Sequence, residues 1–420
     1  MKALISTSDI QGKVAVPSSK SYTLRGLACA ALAPGRSVLF NPLDADDTVV
    51  ARNVLREIGV GIEQKDGLWI VDGGKFCEPP TDLYCGESAG TLRFMTAICS
   101  LVPGTCRLTA APSLARRPIQ PLIDALNTLG IKCDTTGGSP PVTVHGGRVR
   151  GGRVELPGNI SSQYVTALLL IAPLTIEGLE IRLTSPLESK PYVLMTLDCM
   201  RAFGIKVRHD SDLSVFEVGP QSYQPVNYTI EGDWSSASYL LALGAVAGKT
   251  EVTNVTMASK QADREICALL NRMGARVTAA NDTCTVSQSR LCALRADLSD
   301  CIDLLPTVCV LAALADGQSE LTGVKRARLK ESDRIEAVKS GLQRMGIKVI
   351  EEEDRIFITG AKPRGAVIDS KGDHRIAMAF SIPGVIAGDT VIEGAECVAK
   401  TFPAYWDVLK SLGAKVVLDG

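Results

Sequence analysis

The sequence predicts an α/β fold of two domains, each made of three repeated α/β units of about 70 residues, with inward helices whose N-termini face an interdomain cleft. Three observations carry this reading. An apolar helix end, then Gly, then a short strand recurs at Gly59, Gly130, Gly204, Gly274, Gly346 and Gly413, at spacings of 71, 74, 70, 72 and 67 residues. A second marker, Gly leading an alternating strand, recurs independently at Gly35, Gly104, Gly178, Gly248, Gly317 and Gly388, at spacings of 69, 74, 70, 69 and 71. Six helical segments, among them 167–171 and 308–313, are apolar on every side and belong in an interior.

Each repeat then reads in one order: a polar turn, an apolar helix, the Gly-led strand, an amphipathic helix, and the strand that follows the helix-ending Gly. That Gly supplies the left-handed backbone of a helix C-cap. The opening turns are Ser18-Ser19-Lys20-Ser21, Gly86-Glu87-Ser88-Ala89-Gly90-Thr91, Asn159-Ile160-Ser161-Ser162-Gln163, Gly232-Asp233-Trp234-Ser235-Ser236, Asp303-Leu304-Leu305-Pro306 and Gly372-Asp373-His374-Arg375. A buried helix with such a first turn needs a polar place for that end to point. Two clusters of three helices, starting at a common cleft, provide it, and helix N-termini bind anions through free N–H groups and the dipole. Between repeats three and four the stretch 219–227 is polar and contains Pro220 and Pro225, so the domain boundary is placed there; the domains expected are 14–227 and 1–13 plus 228–420. The Gly-rich stretch 137–152 reads as exposed hairpin turns.

Composition excludes several function classes. Forty-five basic against 46 acidic residues leave a net charge of -1, which argues against a nucleic-acid partner. Apolar runs of about eleven residues fall short of the roughly 20 that a spanning helix needs, so no membrane partner is expected. The first nine residues carry an acid and three hydroxyls and lack a signal-like apolar run, which with thirteen cysteines and no C-x-x-C pair predicts a cytoplasmic protein with reduced thiols. Three histidines without helical i, i+4 spacing predict no metal site, and the absence of G-x-x-x-x-G-K-[ST] and G-x-G-x-x-G argues against ATP and NAD.

What stands out is an excess of cations in or beside the polar turns: Lys20, Arg25, Arg93, Arg117, Lys330, Arg334, Arg375 and Lys400. Cations at helix starts oppose the dipole, so their clustering points to anionic ligands, for which Arg offers a bidentate fork and Lys a point charge. Taken one by one, the groups have plainer readings. The run 330–334 also fits a surface salt-bridge cluster, Ser161 and Asp303 also fit ordinary helix caps, and His374 also fits a structural histidine.

Together these turns resemble those of the 5-enolpyruvylshikimate-3-phosphate (EPSP) synthase family of carboxyvinyltransferases. The resemblance spans the chain: Pro17-Ser18-Ser19-Lys20-Ser21 with Arg25, Asp46-Asp47-Thr48, Arg117-Pro118-Ile119, Ser161-Ser162-Gln163, Ser189-Lys190-Pro191-Tyr192, Glu231-Gly232-Asp233, Lys330-Glu331-Ser332-Asp333-Arg334, Asp373-His374-Arg375 and Lys400-Thr401-Phe402-Pro403. It implies the inside-out α/β barrel of the enolpyruvyl transferases and transfer of the enolpyruvyl group of phosphoenolpyruvate to the 5-hydroxyl of shikimate 3-phosphate. It further implies a monomer that needs no metal or cofactor. By resemblance, Ser21, Arg25, Ser161, Ser162, Gln163 and Ser189 hold shikimate 3-phosphate; Arg117, Arg334, Arg375 and Lys400 hold phosphoenolpyruvate; Lys20 touches both. Asp303 is expected as base on the hydroxyl and Glu331 as the group exchanging protons at the vinyl carbon, with Lys20 or Lys330 as acid partners.

Two places depart from the family pattern. The span from Gly90 to Arg93 is one residue shorter than the family's Gly-Thr-x-x-Arg, so either Ala89 or Gly90 takes the place of the glycine lining the phosphoenolpyruvate pocket. Four residues before Lys330 stands Arg326, where some members use Asn on the shikimate phosphate. Of the rival readings, UDP-N-acetylglucosamine enolpyruvyl transferases carry a reactive cysteine in the loop before Arg-Pro, and residues 112–117 here contain none. An RNA 3′-phosphate cyclase relative sits poorly with the neutral charge, and a non-catalytic binding homologue with the retained acid and base residues.

Overall fold

The computed structural model describes residues 1–420. The chain divides into two compact units, Ser18–Ile230 and Met1–Pro17 with Glu231–Gly420. These seams fall a few residues past the expected 13/14 and 227/228, for a reason visible in the strand pairing. Strand Ile10–Ala15 runs parallel beside Gly248–Thr253 of repeat four, while Asn227–Thr229 runs parallel beside Gly35–Phe40 of repeat one. Repeats one and four thus take their first strands from each other's flank of the chain. The stretch 219–227 is tied into its unit: Gln221 N–H donates to Pro173 C=O and the buried Tyr223 hydroxyl to Leu170 C=O.

Six four-stranded sheets share one pattern, a parallel pair followed by two antiparallel neighbours. In the second repeat, Leu83–Tyr84 lies parallel to Gly104–Thr109, which pairs antiparallel with Ser139–Gly146, which pairs antiparallel with Lys132–Thr136. The last sheet places the N-terminal strand Lys2–Ser6 between Thr390–Glu393 and Lys415–Asp419. Burial alternates along these strands, so one face packs inward and the other meets solvent.

Within each unit the helices lie inside and the sheets outside. In Ser18–Ile230 the interior helices are Lys20–Leu32, Ala89–Ile98 and Ser162–Ile171; in the other unit they are Trp234–Ala247, Leu305–Ala313 and His374–Ala387. Every residue of Ala89–Ile98 and Leu305–Ala313 is buried, and in Trp234–Ala247 only Ser235 is not. Four consecutive side chains, Leu168 to Ile171, are wholly buried; at about 1.5–3 kcal/mol each, such runs make these helices the core of their units. The six helix-ending glycines all adopt positive φ, from 81° at Gly130 to 101° at Gly413, as the C-cap reading requires. No helix is long and apolar enough to cross a membrane.

Candidate active site

The starts of the three interior helices in Ser18–Ile230 come together. A Cβ on Gly90 would lie 3.0 Å from Leu24 Cδ1 and 3.9 Å from Gln163 Nε2. Ser19, Ser88 and Ser161 cap the three helices, each accepting a backbone N–H within its first turn. Hydroxyls, not the neighbouring cations, do the capping. Lys20 Nζ pairs with Asp47 Oδ2 at 2.8 Å. The buried Arg25 donates to Thr196 Oγ1 (2.9 Å), Ser21 C=O (2.9 Å) and Tyr192 C=O (3.0 Å), and its guanidinium lies 5.5 Å from the Phe94 ring centre. These partners are neutral, and burial pulls its pKa down. Such a desolvated cation favours an added anion.

Arg93 joins the other two helix starts, donating to Gln163 Oε1 (2.6 Å), Ser161 Oγ (3.3 Å) and Pro118 C=O (3.4 Å) above the Tyr164 ring. The Tyr164 hydroxyl also donates to Pro118 C=O at 2.5 Å, so the Arg117-Pro118 turn adjoins Ser161 and Gln163. Ser162 and Ser189 are both buried. Ser189 holds a left-handed conformation (φ 57°) before the helix Lys190–Ala202, whose Tyr192 and Thr196 meet Arg25.

In the second unit the interior helix starts carry opposite charges in contact. Arg334, 1% exposed, donates from Nε to Asp373 Oδ2 (2.8 Å), from one terminal nitrogen to Asp303 Oδ1 (2.7 Å) and from the other to Glu331 Oε2 (2.5 Å). Burial opposes its charge, but the three carboxylates overcome this and raise its pKa. Asp303 also faces Lys330 Nζ at 3.1 Å and Arg375 at 3.4 Å, and burial lowers the Lys330 pKa. Asp373 caps the helix His374–Ala387 by accepting Arg375 N–H at 2.9 Å. Lys400 Nζ donates to Gly372 C=O at 2.7 Å, beside that cap.

Thus the expected residues gather as two sets. Lys20, Ser21, Arg25, Gly90, Arg117, Ser161, Ser162, Gln163 and Ser189 belong to Ser18–Ile230; Asp303, Lys330, Glu331, Arg334, Arg375 and Lys400 belong to the other unit. Sequence reasoning missed Asp263. It is buried, accepts a hydrogen bond from Ser235 Oγ and lies 3.8 Å from Arg375. Repeat register offered a signal, since Asp263 precedes Gly274 by 11 residues much as Asp47 precedes Gly59 by 12.

Residues 5–409 match the model of the EPSP synthase (3-phosphoshikimate 1-carboxyvinyltransferase) family. A 3-phosphoshikimate 1-carboxyvinyltransferase of Dehalococcoides mccartyi is 50% identical over 421 residues, covering 100% of both chains. One of Methanocaldococcus jannaschii is 40% identical, covering 98% of this chain and 97% of its own. The EPSP synthase of Acinetobacter baumannii superposes with a TM-score of 0.85 at 28% identity, covering 99% of this chain and 100% of its own. The enolpyruvyl transferase NikO of Streptomyces tendae shares the fold, with a TM-score of 0.81 at 18% identity over 99% and 98% of the two chains. With the family model matching nearly the whole chain and a full-length relative at half identity, this protein belongs to the EPSP synthase family of 3-phosphoshikimate 1-carboxyvinyltransferases.

Proposed function

We propose that these residues serve the transfer of the enolpyruvyl group of phosphoenolpyruvate to the 5-hydroxyl of shikimate 3-phosphate. The observation that carries this reading is Arg25, a buried guanidinium whose hydrogen bonds go to a hydroxyl and two carbonyls, a setting that an oxyanion completes. Arg25 takes the phosphate-bearing substrate with Lys20, Ser21, Ser161, Ser162, Gln163 and Ser189. Arg117, Arg334, Arg375 and Lys400 take phosphoenolpyruvate, and Lys20 serves both.

The chemistry needs one proton on the vinyl carbon and one removed from the attacking hydroxyl, giving a tetrahedral intermediate from which phosphate departs and the double bond re-forms. Asp303 takes the hydroxyl proton and Glu331 exchanges the proton at the vinyl carbon, with Lys20 or Lys330 as acid partners. Asp303 is surrounded by Lys330, Arg334 and Arg375. Incoming phosphate and carboxylate groups draw on those same cations. A cytosolic setting is supported by the thirteen free thiols, ten of them buried.

The test is phosphate release by purified protein from phosphoenolpyruvate, with shikimate 3-phosphate or UDP-N-acetylglucosamine as acceptor. Release with shikimate 3-phosphate alone, lost in Asp303→Ala and Glu331→Ala, is expected. Release with UDP-N-acetylglucosamine, or no release from folded protein, overturns the reading.

A further inference from the structure

We propose that Asp263 is a positioning residue for Arg375, holding its guanidinium against Asp303 and taking up one proton when an anion binds there. The inference rests on the reading of Arg375 as a phosphoenolpyruvate ligand and extends it to a residue outside the matched motifs.

Asp263 stands in a short 3-10 helix, 262–265, and its side chain is 3% exposed. Its Oδ2 accepts the Ser235 hydroxyl and lies 3.8 Å from an Arg375 terminal nitrogen. Its Oδ1 is buried without a hydrogen-bond partner. The other terminal nitrogen of Arg375 faces Asp303 Oδ2 at 3.4 Å. One guanidinium therefore sits between two carboxylates, and one oxygen of Asp263 accepts no hydrogen bond from the protein. A buried, half-solvated carboxylate is costly when ionised and cheap when protonated.

The groups that face Asp263 pull in both directions. Burial pushes its carboxyl up, Arg375 and the Ser235 hydroxyl favour the ionised form, and the charges of Asp303 and Asp233 oppose it, leaving a pKa of about 7. The Tyr239 hydroxyl and Cys301 thiol lie near enough to sense its charge, and Arg264 and Glu265 flank it on its own helix. An anion placed on Arg375 adds negative charge to this set and withdraws the positive charge that favours ionised Asp263. Protonating Asp263 then releases the Arg375 charge to the ligand. The sign follows: below about pH 7 Asp263 is neutral and Arg375 is available, whereas above it ionised Asp263 competes with the anion.

The experiment measures KM for phosphoenolpyruvate and for shikimate 3-phosphate from pH 5.5 to 9 in the wild type, Asp263→Asn and Ser235→Ala. Phosphoenolpyruvate binding is also followed by calorimetry at pH 7 in two buffers of different ionisation enthalpy. In the wild type, KM for phosphoenolpyruvate should rise by up to about tenfold per pH unit above about 7, and the Asp263→Asn profile should lack that rise. Ser235→Ala removes a donor to the ionised form, so its rise should begin at higher pH. This variant serves if Asp263→Asn fails to fold. Calorimetry should show less proton uptake by Asp263→Asn than by the wild type. Equal profiles and equal proton uptake overturn the proposal. If the wild type releases no phosphate from the two substrates, the catalytic reading fails while the calorimetric comparison still decides the role of Asp263; absence of any phosphoenolpyruvate binding overturns both.

Discussion

Removing the Asp373 carboxylate should be among the most damaging single changes to the unit Met1–Pro17 with Glu231–Gly420. Asp373 is fully buried and receives Arg334 Nε at 2.8 Å and Ser332 Oγ at 3.0 Å on one oxygen, while the other caps the helix His374–Ala387 at 2.9 Å from Arg375 N. Breaking a buried ion pair by deleting one partner costs about 3–5 kcal/mol. Asp303 and Glu331 still hold Arg334 in the variant, so the lower end, about 3 kcal/mol, applies. Loss of the cap adds about 1 kcal/mol. A total near 4 kcal/mol is a large share of the roughly 5–15 kcal/mol that keeps a domain folded. It corresponds to a fall of about 8–16 °C in Tm for a unit of this size. Asp373→Ala should show that fall in a thermal melt followed by circular dichroism or calorimetry. The exposed pair Arg36–Asp72 supplies the control, since Arg36→Ala should leave Tm unchanged. A shift below about 3 °C for Asp373→Ala would refute the claim that this charge cluster is held by mutual compensation.

Three further outcomes follow from local geometry. Gly341→Ala places a Cβ 2.3 Å from Phe380 Cζ, so despite the better helix propensity of Ala it should destabilise by about 1–3 kcal/mol, read as a lower urea midpoint. Arg25→Met removes a charge-assisted contact of about 1.5–3 kcal/mol and should raise KM for shikimate 3-phosphate roughly 10- to 150-fold with little change in KM for phosphoenolpyruvate. A comparable rise for both substrates would contradict the assignment of Arg25 to shikimate 3-phosphate alone. Thiol titration with an aromatic disulfide at pH 8 should find Cys77 and Cys292 reacting fast, while Cys85, pushed up to about 12 by burial, reacts only on unfolding.

The repeat architecture was legible because it is written twice, in two glycine series with a common period, and because an all-apolar helix has no stable place except an interior. The exchange of first strands between repeats one and four was not. Strands 10–15 and 227–229 carry the same alternating pattern whichever neighbour they pair with, and pairing between residues so distant in sequence leaves no local trace. The candidate residues stand out both in the polar turns that open the interior helices and where the amphipathic helices begin, at Asp47, Tyr192 and Arg334, each 12 residues before a helix-ending Gly. Asp263 escaped notice because Gln-Ala-Asp-Arg-Glu reads as an ordinary solvated helix start; only the packing of Ser235 and Arg375 on it reveals a buried carboxylate. Charge balance within the site was also invisible from sequence. Arg334 reads as an anion ligand, and the fold shows it engaged with three carboxylates of its own chain.

The central claim is that the cations gathered at the helix starts serve enolpyruvyl transfer. It is tested most directly by proton and phosphorus NMR of the protein mixed with phosphoenolpyruvate and shikimate 3-phosphate. The account predicts vinyl proton signals of a new enol ether on the shikimate ring, growing in equal amount with inorganic phosphate. Unchanged substrates, or phosphate and pyruvate formed without the ether, would contradict it.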